Sequence, residues 1–144
     1  MKRISVLLFL LMVSVVLVGC MEVGVDLEIE PDPMNFSEDS YELDGTIRMK
    51  TTGFGDLEIY EIIILVEDVD KEEIVYTDSD VVEEELFVFS GITHEESFTL
   101  HLEEIFEDFD DDYYVDELKG AEYELTVQLE GSVDSSKTVT INFE

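Results

Sequence analysis

The chain has 144 residues, with 38 Asp and Glu against seven Lys and Arg and a formal charge of −31 at pH 7. A field of that sign and size repels polyanions, which excludes DNA and RNA as partners. Nine Phe, six Tyr and many branched apolar residues supply the core that charge-rich disordered chains lack, so a single ordinary domain is expected.

Lys2 and Arg3 precede an uncharged apolar run, Ile4 to Val18, then Gly19 and Cys20. A basic end, a greasy segment and a small residue before the break make up a secretory signal. The run falls short of the ~20 apolar residues a spanning helix needs, and Glu22 interrupts any extension of it. Leu17-Val18-Gly19-Cys20 resembles the lipobox of prokaryotic lipoproteins. That resemblance implies a signal peptide over 1–19, lipidation of Cys20, a tether over 20–22 and a domain over 23–144. The domain is then anchored by lipid to the cell membrane and faces the extracellular side. Cys20 is the sole cysteine, which rules out an intramolecular disulfide and a cysteine metal cluster.

Beyond the tether the pattern is period two, the mark of half-buried strands. Val23, Val25, Leu27 and Ile29 alternate with Gly24, Asp26 and Glu28, and Pro31 and Pro33 end that strand. Leu43, Ile47 and Met49 share a face opposite Asp44, Thr46, Arg48 and Lys50. Leu57 to Val66 is denser and predicts a central strand buried on both sides. Short strands are predicted at Glu72 to Tyr76 and Glu85 to Phe89, then an inward set of Phe98, Leu100 and Leu102 with Thr99 and His101 outward. Glu103 to Leu118 breaks the rhythm: Ile105, Phe106, Phe109, Tyr113 and Leu118 fit one side of a short helix or a wrapped loop. Tyr123 to Leu129 and Val139 to Phe143 complete the alternation. Seven to eight short strands at this spacing predict an all-β, antiparallel two-layer sandwich.

Lys119-Gly120-Ala121-Glu122-Tyr123 is similar to the Asp-x-Ala-x-Tyr pattern that opens the penultimate strand of immunoglobulin-like domains, with Lys119 in place of the acid. The resemblance implies that the Tyr123 hydroxyl bonds back to the crossover as a tyrosine corner. Glu73-Ile74-Val75-Tyr76 and Leu43-Asp44-Gly45-Thr46-Ile47 look like small prokaryotic surface domains of the FxLYD and CARDB kind. The acidic surface over a normal core resembles proteins of salt-loving archaea, although the single alanine, Ala121, does not. Fold alone brings no activity with it.

Among candidate sites, Asp108, Asp110 and Asp112 take the first, third and fifth places of a calcium loop, with Asp116 behind them. Tyr113 stands where such a loop needs Gly, and Lys119 where it needs Glu, so this is not an EF-hand. With 38 acids in the chain, a solvated acidic loop is the preferred reading and calcium the alternative cofactor. His94 and His101 show no metal spacing and no nucleophile frame, so no catalytic residue is assigned. Asn35-Phe36-Ser37 has the form of a glycosylation acceptor at Asn35. Tyr113 and Tyr114 either contact a partner or cap the core. The sequence therefore reads as a non-catalytic, lipid-anchored surface module for a cationic protein or small ligand. The alternatives are a calcium-binding surface domain and an extracellular protease inhibitor, the latter requiring a protruding, apolar-tipped loop.

Overall fold

The computed structural model describes residues 22–36 and 41–144, the side chains of 80–85 excepted. The expected signal peptide and Cys20 lie outside the described residues, as does Ser37. The described residues form eight strands: β1 Gly24–Glu30, β2 Met34–Phe36, β3 Glu42–Thr52, β4 Leu57–Asp68, β5 Glu73–Val88, β6 Thr93–His101, β7 Glu122–Gly131 and β8 Ser135–Phe143. One sheet runs β1-β3-β6 and the other β2-β8-β7-β4-β5. All neighbours are antiparallel except β2, which lies parallel to β8.

Alternation places one face of each strand in the core. Leu27 and Ile29 of β1, Leu43, Ile47 and Met49 of β3, and Leu100 of β6 meet Leu57, Ile59 and Val66 of β4 and Tyr123, Leu125, Val127 and Leu129 of β7. Val139, Ile141 and Phe143 of β8 complete that layer. Gly45 sits among these inward positions because a Cβ there would lie 2.3 Å from the Phe98 ring. The missing side chain lets that ring lie across β3.

Two expectations change. The strands predicted at 72–76 and 85–89 are the two ends of one sixteen-residue strand, β5. Its register to β4 jumps from Glu61↔Val81 to Ile59↔Leu86, so four residues of β5 stand opposite Tyr60 alone. The centre of β4 is also only half-buried, not buried on both sides: Ile62 to Leu65 all keep partial exposure. Among the described residues no third layer covers the outer face, and the three-stranded sheet ends at β6, short of the full width of its partner.

The crossover from β6 to β7 holds α1, Leu102–Ile105, and α2, Asp111–Tyr113, which runs into a π-helical turn at Tyr114–Leu118. Leu102, Ile105, Phe106, Tyr114 and Leu118 are buried by it against the core. No helix among the described residues is long and apolar enough to cross a membrane.

Candidate functional site

The two ends of the sandwich differ in chemistry. One end carries the β4–β5 turn, the β6–β7 crossover and Glu144. Here Asp68 is the one buried carboxylate among the described residues, only 4 % exposed. Its Oδ1 accepts from the backbone amides of Asp70 and Lys71, each at 3.1 Å, and its Oδ2 meets Lys71 Nζ at 3.0 Å. Tyr123 stands directly opposite it in the β4–β7 pair. Burial pushes the Asp68 carboxyl upward, but these donors and the Lys71 charge outweigh burial and hold it below its ordinary value. Tyr123 is pushed above the usual tyrosine range, by burial first and by the Asp68 charge second. Tyr123 thus stands at the start of β7, opposite Asp68 of β4. The hydroxyl that reaches back from the crossover is that of Tyr114, donating to the Glu144 carbonyl at 2.6 Å. Tyr114 is 1 % exposed and packs on Phe36 and Phe143, so of its two readings it caps the core.

The acidic loop lies on the same end. Asp110 is the N-cap of α2, its Oδ1 accepting from the Tyr113 amide at 2.7 Å. Asp111 accepts from the Tyr41 hydroxyl. Asp108, Asp112 and Asp116 are exposed. Among the described residues, no three His, Cys, Asp or Glu side chains converge to hold a metal ion.

A broad, open groove of about 980 Å³ runs along the three-stranded sheet, lined by outward residues of its strands, by inward Ile29, Gly45 and Phe98, and by Lys137 of the facing sheet. Glu28 and Glu30 of β1, Asp32 beyond it, and Asp44 of β3 line it with Thr46, Ser97 and Thr99, and Lys137 of β8 is the one base. Register builds this surface, since Glu30 stands opposite Thr46, Thr46 opposite Ser97, and Asp44 opposite Thr99. Thr99 Oγ1 donates to Asp44 at 2.6 Å. Beside the groove Arg48 joins Glu30 and Glu95, both at 2.7 Å. A smaller opening of about 250 Å³ lies under β6, between Phe98, Leu100, Ile62 and Ile64, with Asp78 and Glu96.

His94 bonds Glu96 at 2.6 Å and His101 approaches Glu42 at 3.4 Å; the two stand on opposite faces of β6. Asn35 is exposed on β2, its Oδ1 accepting from Asn142 Nδ2 at 3.1 Å.

At the other end, the β3–β4 loop and the β5–β6 turn expose Phe54, Phe89 and Ile92, by 71, 57 and 58 %. Sequence reasoning passed over them because apolar residues beside strands read as core. The run Gly53-Phe54-Gly55 was the available signal, an aromatic held between two glycines that both adopt positive φ.

No protein-family model matches the sequence. No curated protein matches it either. Among solved structures, the chain is similar to the C-terminal domain of wzt, at 12 % identity and a TM-score of 0.51, covering 86 % of this chain and 74 % of that one. A CARDB domain from Pyrococcus furiosus, solved in complex with di-metal ions, matches at 7 % identity and 0.47, covering 85 % and 89 %. A β-glucosidase from Listeria innocua matches at 13 % and 0.46, where the chain spans only 16 % of the enzyme. The fold is an immunoglobulin-like β-sandwich: β1, β3 and β6 take the places of strands A, B and E, and β4, β5, β7 and β8 those of C, C′, F and G.

Proposed function

We propose that this chain is a lipid-anchored, non-catalytic binding module displayed outside the cytoplasmic membrane, and that its acidic groove takes a cationic protein segment or small cationic ligand. The observation that carries the reading is the groove itself, in which Glu28, Glu30, Asp32 and Asp44 face one ammonium, Lys137. Complementary charge on such a surface speeds encounter and selects the partner's sign. The exposed Phe54 loop supplies the apolar tip that a protease inhibitor requires. It lies, however, at the end where the chain enters from Cys20, the side an anchored domain turns toward its membrane.

Anchoring is tested by expressing the full chain as wild type and as Cys20→Ser in a prokaryotic host. The wild type should fractionate with membranes and begin, by mass spectrometry, at a lipid-bearing Cys20. The variant should lose the lipid. An unmodified cysteine on a membrane-free wild-type protein would sink the anchor.

A further inference from the structure

The apolar end of the sandwich and the entry of the chain are joined. The Glu22 carbonyl oxygen lies only 2.0 Å from where a Cβ of Gly53 would be, and Val23 Cγ2 lies 2.6 Å from the corresponding position of Gly55. Both glycines have positive φ, so the β3–β4 loop folds around the incoming chain and leaves Phe54 projecting. Asp56 Oδ1 accepts from the Ser90 amide at 3.1 Å, which ties the β5–β6 turn, with Phe89 and Ile92, to the same loop. The Thr51 hydroxyl donates to the Phe89 carbonyl at 3.4 Å.

We infer that Phe54, Phe89 and Ile92 form a lipid-contacting tip, and that the domain stands on the membrane through it as well as through its anchor. This rests on the lipidation of Cys20 proposed above. Glu22 is two residue steps from Cys20, with only Met21 between them, and an extended chain spans at most ~3.6 Å per residue, so Glu22 lies within roughly 7 Å of the lipidated residue. The headgroup layer is itself several ångströms thick, about 5–8 Å a side. A loop wrapped around Glu22 and Val23 therefore reaches that layer, and an exposed apolar patch there meets lipid.

The densest acids lie away from the tip. Near it, Asp56 accepts from the Ser90 amide and Asp134 of the neighbouring β7–β8 turn from the Gly131 amide, and Glu22 and Glu58 add two further carboxylates. The carboxylates of the crossover lie at the opposite end of β4, whose twelve residues span about 40 Å at ~3.3 Å each. That is several screening lengths of ~8 Å at physiological salt, so an anionic surface touching the tip scarcely feels them.

The chain contains no Trp. The full-length, lipidated protein carrying Phe54→Trp, and separately Phe89→Trp, is reconstituted into phosphatidylcholine vesicles with brominated acyl chains. Val115→Trp, exposed at the far end, is the control. The tip reporters should shift to the blue and lose emission to the bromines, while the control does neither. Vesicles that carry the lipidated protein yet leave both tip reporters unshifted would overturn the tip and spare the anchor. A blue shift without bromine quenching, together with cross-linked dimers, would assign the patch to a second copy and also overturn it. A Cys20 without lipid by mass spectrometry would overturn the anchor and this inference with it.

Discussion

Asp68 and Tyr123 stand opposite each other in the β4–β7 pair, and Asp68 is the one buried acid among the described residues. The β4–β5 turn is organised around that acid, since Asp70 and Lys71 both donate their amides to it. Asp68→Ala strands these donors and should cost about 2–3 kcal/mol, most of it from the amides because Lys71 is exposed. Asp68→Asn should cost less. The folded-state pKa lies below the unfolded one, so the contribution is complete above the ordinary value of 3.8 and is lost as pH falls through the folded value. Urea unfolding of wild type and Asp68→Asn should therefore converge on acidification; a constant gap down to pH 3 would mean that the charge of Asp68 contributes nothing.

Tyr114 closes the same end from the other side. Its hydroxyl holds the Glu144 carbonyl, while the Glu144 amide donates to the Phe36 carbonyl at 3.0 Å. Tyr114→Phe keeps the ring and should lose about 1 kcal/mol in urea unfolding. Tyr114→Ala removes packing against Phe36 and Phe143 and should lose about 3–5 kcal/mol. Equal losses for the two variants would place the whole contribution in the hydroxyl.

The alternating strands were legible because their inward and outward positions differ sharply, as in Leu43, Ile47 and Met49 against Asp44, Thr46 and Arg48. β5 was not, since Thr77-Asp78-Ser79-Asp80 reads as a turn; at a sheet edge such residues are tolerated because one side of the strand meets solvent. β2 is three residues long, too short to show a period. The crossover sends one more aromatic inward than helical spacing predicts. Tyr113 packs against the core as expected, and Tyr114, whose carbonyl accepts an i→i+5 bond from the Lys119 amide at 2.8 Å, is buried as well. Asp68 was hidden by composition: in a chain this acidic, nothing local separates one buried carboxylate from its exposed neighbours.

The groove reading predicts a loss that depends on position. The triple variant Glu28→Gln, Asp32→Asn, Asp44→Asn removes three groove charges and leaves Glu30 on Arg48. The control Asp108→Asn, Asp112→Asn, Asp116→Asn removes the same charge from the crossover. Binding of a tetralysine peptide at 0.15 M salt should weaken about tenfold in the first, equivalent to ~1.4 kcal/mol, and hardly change in the second. Equal weakening would show that the peptide reads net charge alone, and the groove would carry no function.

The acids of the crossover make the last expectation. Self-repulsion among 38 carboxylates falls as the screening length shrinks from ~8 Å at 0.15 M salt to ~3 Å at 1 M, so thermal unfolding should move upward with potassium chloride. Calcium should do no more than potassium at equal ionic strength. Asp110 already gives an oxygen to the Tyr113 amide and Asp111 one to the Tyr41 hydroxyl, so a bound ion would have to displace bonds that shape α2. Asp110→Ala should then lower stability by about 1 kcal/mol with or without calcium, the ordinary cost of a lost N-cap. Were millimolar calcium to raise the melting temperature beyond the potassium control, and Asp110→Ala to abolish that increment, the loop would hold an ion and calcium would replace simple screening as the reason for its acids.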